Sequence, residues 1–141
     1  MSPKKKFFEL LALGQNDLNL ILESLWKISG HAGRHSLFLS FATKLLHTLD
    51  NSKPIFDAEV SAVINKRVTG NIKEEKIKSA KDIYAYLENL YLVLVGNEKI
   101  QEVIKEFRAK FSVDTKRITD QKVLDFLIWS LGKLKRRNGN V

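Results

Sequence analysis

Residues 36–49 read SLFLSFATKLLHTL, and the apolar side chains of this stretch recur at the intervals of an α-helix. So many positions are apolar that we predict a central, nearly buried helix. A broad apolar surface is formed by Leu37, Phe38, Phe41, Leu45, Leu46 and Leu49. The next residues, DNSKP at 50–54, have the composition of a turn, in which Pro54 keeps Lys53 out of helical geometry. The stretch therefore indicates a fold built from helices.

Helical periodicity also dominates on both sides of this stretch, and it predicts about seven helices with no convincing strand. Residues that favour helix starts lie at or near Pro3, Asn16, Ser36, Asp57, Ser79, Asn97, and either Thr119 or Asp120. Residues 69–78 are polar and charged and contain Gly70, so they are predicted to form a mobile connector. Ser79 and Asp82 have the spacing of a capping box that opens the next helix. We predict a single compact all-α domain over residues 1–141.

The net charge of +8 is concentrated at the two ends of the chain. Residues 7–132 hold 17 basic and 16 acidic side chains and are almost neutral. The basic ends are residues 1–6, with Lys4, Lys5 and Lys6, and residues 133–141, with Lys133, Lys135, Arg136 and Arg137. Clustered cations attract phosphates without reading sequence, and they also serve as solubilising ends. Both interpretations stay open.

Several classes of site and location are disfavoured by what the sequence lacks. The chain has no cysteine, which excludes disulfides, thiolate metal sites and cysteine nucleophiles and is typical of a reducing cytoplasm. No uncharged apolar run reaches the roughly 18 residues of a membrane-spanning helix, and Glu9 interrupts the apolar stretch behind the N-terminal lysines. Gly-rich phosphate loops, dinucleotide fingerprints and serine elbows are absent as well. We expect a cytoplasmic protein with no secretory signal, no membrane partner and no cofactor.

The histidines do not predict a metal site. His31 and His35 are four residues apart, which is the spacing of two ligands on one helix. Gly30 and Gly33 disfavour a helix there, and no nearby carboxylate offers a third ligand. We expect both to be loop or cap histidines, and His47 to be a partly buried histidine with its hydrogen bonds satisfied.

Two separated motifs carry the most information about function. The first consists of KLLH at residues 44–47, the turn, and PIFD at residues 54–57 followed by Val60; the second is KVLDFLIWSLGK at residues 122–133. Together they resemble the helix-hairpin-helix DNA glycosylase superfamily, and more closely the small helical proteins related to the 8-oxoguanine glycosylases. The resemblance covers about residues 36–134. It implies a glycosylase-like helical core that binds nucleic acid, DNA in preference to RNA.

The same resemblance implies roles for two residues. Asp57 would stabilise the cationic sugar that forms when a damaged base is excised, or would act as a general base. Lys44 would be the nucleophile that forms a Schiff base with the sugar. The family's Leu-Pro-Gly-x-Gly hairpin does not precede Lys44 in this sequence. If SGHAGRH at residues 29–35 is its remnant, the nucleophile position falls near Arg34 or His35, and Lys44 is an ordinary helix residue.

Three functions therefore stay open. The first is excision of a damaged base by a DNA glycosylase or lyase. The second is a non-catalytic nucleic-acid-binding module, such as a small subunit of a ribonucleoprotein or defence complex, whose contacts are the basic ends together with Arg34 and His35. The third is a protein–protein adaptor that presents an apolar helix face to a protein partner.

Ordinary structural roles also account for the residues of both motifs. Asp57 is a good N-cap, and Lys44 can extend its stem over the helix surface. Phe126, Leu127 and Trp129 are expected to fill the core. Asp125 lies among apolar residues, so we expect an arginine, a lysine or a helix amide to pair with it.

Overall fold

Seven α-helices make up the computed structural model, which describes residues 1–28, 37–112, 114 and 117–139. They are α1 (Pro3–Ala12), α2 (Leu18–Trp26), α3 (Leu39–Leu49), α4 (Ala58–Ile64), α5 (Lys73–Val95), α6 (Glu98–Phe111) and α7 (Asp120–Arg137). No strand occurs within the described ranges, and the predicted all-α class is confirmed. The predicted contacts Arg34 and His35, with His31, lie outside the described residues.

Short polar side chains start most of the helices, as the sequence predicted. Asp57 accepts hydrogen bonds at the start of α4, Asn97 accepts one from Ile100 N, and Thr119 accepts one from Lys122 N. The cap of α2 is Asp17 rather than the predicted Asn16, because Asp17 Oδ1 accepts from Leu20 N at 3.0 Å. These caps satisfy amide groups that have no partner within the first turn.

The predicted start of α5 at Ser79 is wrong, because the helix begins six residues earlier, at Lys73. Glu74 and Glu75 lie in its first turn, where carboxylates interact favourably with the helix dipole. Ser79 lies inside the helix, and its hydroxyl accepts a hydrogen bond from Thr69 N at 3.0 Å. Part of the predicted connector is therefore helical, and Ser79 anchors the segment that precedes the helix.

The core is formed by apolar side chains of all seven helices in the described ranges, most of them on α2, α3, α5 and α7. Its largest fully buried apolar side chains include Ile21, Leu22, Leu25, Leu45, Leu87, Tyr91, Ile104 and Val123. Among the helices of the described ranges, none has both the length and the apolar composition needed to cross a bilayer.

The short helix α4 packs closely on α7, and this contact positions the segment before α4. Gly132 of α7 lies against the backbone of Glu59, and a Cβ atom at this position would overlap the Glu59 carbonyl oxygen. α4 ends at Ile64, because Asn65 adopts the left-handed backbone conformation with φ of 53°. The packing of α4 on α7 places residues 55–57 beside α7.

Candidate functional site

A concave site lies between α3, the segment 55–57 and α7, and we call it the α3–α7 cleft. Its volume is about 320 Å³. The lining side chains are Lys44, Ile55, Asp57, Val60, Lys122, Asp125, Phe126 and Trp129. The two residues that the sequence predicted as catalytic, Lys44 and Asp57, therefore line the same cleft. A volume of this size is at the lower end of the range that accommodates small ligands.

Asp57 both caps α4 and lines the cleft. Its Oδ1 atom accepts hydrogen bonds from Glu59 N and Val60 N, both at 3.0 Å, and so caps α4. Neither capping bond uses Oδ2, and the half-buried side chain also lines the cleft. The capping bonds fix the orientation of the carboxylate, which is what a group that must face a ligand requires.

Lys44 lies on the exposed side of α3, and its side chain lines the cleft. No ion pair within 4 Å joins it to Asp57 among the residues that the structure describes. The cleft thus contains an ammonium group and a carboxylate that do not neutralise each other directly. Both can contact a ligand placed between them.

Two aromatic side chains of α7 form the exposed wall of the cleft. Phe126 and Trp129 retain 44% and 45% of their accessible surface, so the prediction that they fill the core is wrong. A lysine ammonium group lies over each ring in a cation–π contact. Lys122 Nζ is 5.0 Å from the Phe126 centroid, and Lys133 Nζ is 5.0 Å from the Trp129 centroid. Leu127, by contrast, is partly buried and packs against the core, as predicted. The exposed wall combines flat apolar rings with positive charge.

One face of α7 carries all four of these residues. Lys122, Phe126, Trp129 and Lys133 are spaced by four, three and four residues, which places them in one stripe along the helix. This lysine–aromatic stripe is recognisable from its spacing in the sequence alone. What the spacing does not reveal is that the stripe lines a cleft instead of facing the core.

Beneath the cleft lies a buried polar network that the sequence analysis missed. The Tyr91 hydroxyl donates to Asp125 Oδ1 at 2.6 Å, and Lys122 Nζ donates to His47 Nε2 at 2.9 Å. His47 Nδ1 is 2.7 Å from the Lys53 carbonyl oxygen and 3.4 Å from Asp125 Oδ2. Because a carbonyl can only accept, Nδ1 carries the proton and Nε2 accepts from the lysine. His47 is partly buried with its hydrogen bonds satisfied, as predicted.

Burial controls the ionisation of this network. Desolvation raises the pKa of the Asp125 carboxyl above its usual range, although the Tyr91 hydrogen bond and the nearby His47 and Lys122 act in the opposite direction. Burial and the adjacent Asp125 also raise the pKa of the Tyr91 hydroxyl, so this group remains a proton donor. The shortest hydrogen bond of Asp125 comes from a tyrosine hydroxyl, whereas the sequence predicted an arginine, a lysine or a helix amide.

The C-terminal basic residues are part of a helix that is docked on α4. Lys133 Nζ and Arg136 Nη1 lie 3.1 Å and 2.8 Å from Oε1 of the buried Glu59, and Lys135 Nζ donates to the Ala62 carbonyl at 3.2 Å. Desolvation acts to raise the pKa of Glu59, but the hydrogen bonds from Lys133 and Arg136 outweigh it and lower the pKa. Three of the four predicted C-terminal contacts therefore occupy defined positions, and Arg137 is exposed on the last turn of α7.

The N-terminal lysines lie away from this cleft, in the first turns of α1. Lys4 and Lys5 are exposed, and Lys6 Nζ pairs with Glu9 Oε1 at 2.9 Å. α1 packs against α2 and α3. The structure therefore does not bring Lys4, Lys5 or Lys6 into the lining of the α3–α7 cleft.

Comparisons with protein-family models, curated proteins and solved structures find no match to this chain. In the described part of the chain, no group of three or more histidine or acidic side chains could hold a metal ion. The chemistry of the site is therefore inferred from its own side chains: two lysines, two exposed aromatic rings and a carboxylate fixed at a helix start.

Proposed function

We propose that this protein binds nucleic acid and that the α3–α7 cleft receives one unpaired nucleotide. The observation that carries the proposal is the pairing of exposed aromatic rings with lysines around a concave site. Every nucleobase has a flat face that stacks on an aromatic side chain, and a stacked base contributes about 1–3 kcal/mol. Phe126 and Trp129 provide the stacking surface, and Lys44, Lys122 and Lys133 provide charge for the flanking phosphates.

The lysines over the rings are compatible with this function. An exposed cation–π contact contributes about 0.5–1 kcal/mol, which is less than base stacking. A base can therefore displace Lys133 from the Trp129 face, and its ammonium, which is also paired with Glu59 Oε1 at 3.1 Å, adds positive charge beside the flanking phosphates. Asp57 repels phosphate. The bound nucleotide is therefore oriented with its base and sugar near Asp57 and its phosphates near the lysines.

Equilibrium binding to labelled oligonucleotides tests this function. Fluorescence anisotropy should show affinity for single-stranded DNA that falls with salt, with a logarithmic slope of about −0.7 for each phosphate contacted. Trp129→Ala should weaken binding about ten-fold or more, because it removes the stacking surface. Leu131→Ala is the matched control, since Leu131 is an exposed apolar residue of the same helix outside the cleft lining.

The outcomes of this titration separate the functions that the sequence left open. Single-stranded RNA of the same length should bind more weakly than DNA if the proposed preference is correct. Equal losses for Trp129→Ala and Leu131→Ala would remove the cleft from the binding surface. A wild-type protein with no affinity for any oligonucleotide at low salt would refute nucleic-acid binding and favour the protein adaptor.

Base excision is a second candidate, supported by the presence of Lys44 and Asp57 in one cleft. In that reaction Lys44 first gives up its ammonium proton to solvent. The free amine attacks the anomeric carbon of the sugar, a C–N bond forms, and the damaged base leaves with the bonding electron pair and takes up a proton. Asp57 stabilises the positive charge that develops on the sugar. The attached amine loses a proton, and the resulting hemiaminal ether opens: the bond between the anomeric carbon and the ring oxygen breaks, the oxygen takes up a proton, and a Schiff base remains.

Borohydride trapping on lesion-bearing duplexes tests the second candidate. Wild-type protein should form a covalent adduct with one member of a panel of oxidised, alkylated or deaminated bases. Lys44→Ala should abolish the adduct, and Asp57→Asn should slow base release about a hundred-fold. Lys81→Ala, an exposed lysine of α5 outside the cleft lining, is the control. Base release that is unchanged by Asp57→Asn would refute the role of Asp57.

A further inference from the structure

A second concave site lies beside the C-terminal ends of α4 and α7, and we call it the basic hollow. Its volume is about 580 Å³. Four cationic side chains line it: Lys66 and Arg67 follow α4, and Lys135 and Arg136 lie in the last turn of α7. Among the described residues that line the hollow, none is acidic. It is a concentration of positive charge in a chain whose middle is almost neutral.

Tertiary contacts hold three of these cations in place. Lys135 Nζ donates to the Ala62 carbonyl, and Arg136 Nη1 pairs with Glu59. Lys66 Nζ lies 4.5 Å from the Tyr86 ring centroid. Side chains that are already ordered lose less conformational entropy when they bind a ligand. The one carboxylate beneath them, Glu59, is shared with Lys133 and leaves most of the positive charge uncompensated.

The basic hollow continues the lysine–aromatic stripe of α7. Arg136 is seven residues beyond Trp129, so the two lie on the same side of the helix about 10 Å apart along its axis. Lys133 lies between them and contacts both Trp129 and Glu59. An axial distance of about 10 Å corresponds to about three nucleotide steps in a stacked strand. A strand with one base in the cleft can therefore reach the hollow with its phosphates.

We propose that the basic hollow binds the phosphodiester backbone of the nucleic acid strand whose base occupies the α3–α7 cleft. This inference rests on the proposed function, because it assigns the backbone contacts of the same strand whose base binds in the cleft. The hollow offers charge without exposed aromatic rings among its lining residues, so it contacts backbone and does not select bases.

Two oligonucleotides and one double variant test the inference. The probes are a twelve-nucleotide oligothymidylate and an oligomer of the same length built from abasic deoxyribose phosphates. Lys66→Ala/Arg67→Ala should weaken binding of both probes about ten-fold and reduce the magnitude of the salt slope by about 1.4, since two phosphate contacts are lost. Lys81→Ala/Lys99→Ala removes the same charge from exposed positions on α5 and α6 and should have a smaller effect.

The two proposals fail in different ways. Trp129→Ala should weaken binding of the oligothymidylate and leave the affinity for the abasic oligomer unchanged. If it does not, base stacking in the cleft is wrong, and the backbone site is then judged by Lys66→Ala/Arg67→Ala alone. If Lys66→Ala/Arg67→Ala matches the control double variant in affinity and salt slope, the basic hollow is not a binding site. If polyglutamate or anionic vesicles displace the oligomer at equal charge concentration, the occupant is not nucleic acid. Absence of any binding by wild-type protein would refute both.

Discussion

Tyr91 of α5 donates a 2.6 Å hydrogen bond to Oδ1 of Asp125 on α7, and both side chains are buried. This bond joins residues that are 34 positions apart in the chain. It lies directly beneath the cleft, because Asp125 also contributes to the cleft lining. The stability of the fold and the floor of the candidate site therefore depend on the same pair.

Tyr91→Phe should destabilise the fold. The substitution keeps the ring in the core and removes the hydroxyl, so Asp125 loses its shortest hydrogen bond while it remains buried. Hydrogen bonds to charged groups contribute about 1.5–3 kcal/mol, and we expect a loss of about this size in urea denaturation. Tyr86→Phe is the control: Tyr86 is exposed, and its ring contact with Lys66 survives the substitution. A loss no larger than that of the control would show that the bond adds nothing to stability.

Asp125→Asn should change how stability depends on pH. Burial raises the pKa of Asp125 in the folded state, so the native protein binds a proton more tightly than the unfolded chain does. Stability from this group is therefore lost as pH rises from the ordinary aspartate pKa of 3.8 through the raised pKa, and it is constant above that. The free energy of unfolding of wild type, minus that of Asp125→Asn, should fall across this window. Denaturation at a series of pH values measures it, and a difference that rises with pH would contradict the assignment.

Local chemistry was predictable from the sequence wherever it depends on neighbouring residues. The caps at Asp57, Asn97 and Thr119 are confirmed, because an N-cap needs only its own oxygen and amides two or three residues ahead. The predicted helix start at Ser79 is wrong because the actual start depends on tertiary contacts and not on neighbouring residues. Ile77 and Ala80 are buried on one continuous face of α5, and this tertiary burial extends the helix through a local capping signal.

Which face of α7 is covered could not be predicted, because it depends on contacts between distant segments. The face with Val123 and Ile128 is buried, whereas Phe126 and Trp129 remain half exposed over the cleft. Hydrophobicity alone favours burial of the aromatic residues as well. One of these contacts is the close approach of α4 at Gly132, and a glycine in a helical pattern does not by itself identify its neighbour.

Gly132→Ala should destabilise the protein, although alanine is intrinsically the better helix former by about 1 kcal/mol. The added methyl group would overlap the Glu59 backbone, so α4 would have to move away from α7. Overpacking of this kind typically costs about 1–3 kcal/mol. Thermal denaturation of the purified variant measures the effect.

Gly96→Ala is the matched control for that substitution. Gly96 has φ of −76°, and a Cβ there would make ordinary contacts of 3.5 Å or more. We expect it to leave the melting temperature close to that of wild type. If Gly132→Ala were as stable as Gly96→Ala, the close packing of α4 on α7 would be refuted. The geometry of the cleft would then need revision, because α4 carries Val60 and its cap Asp57.

Glu59→Gln should lower the melting temperature at neutral pH and lose this effect in acid. Hydrogen bonds from Lys133 and Arg136 lower the pKa of Glu59 in the folded protein, so the group contributes stability above the ordinary glutamate pKa of 4.5. That contribution is lost as pH falls through the lowered pKa, because the folded state must then take up a proton. The difference in melting temperature between wild type and Glu59→Gln should therefore shrink below pH 4.5. Glu102→Gln, an exposed glutamate of α6, should show no such trend, and a gap that widens in acid would mean that Glu59 does not anchor α7 as an ionised group.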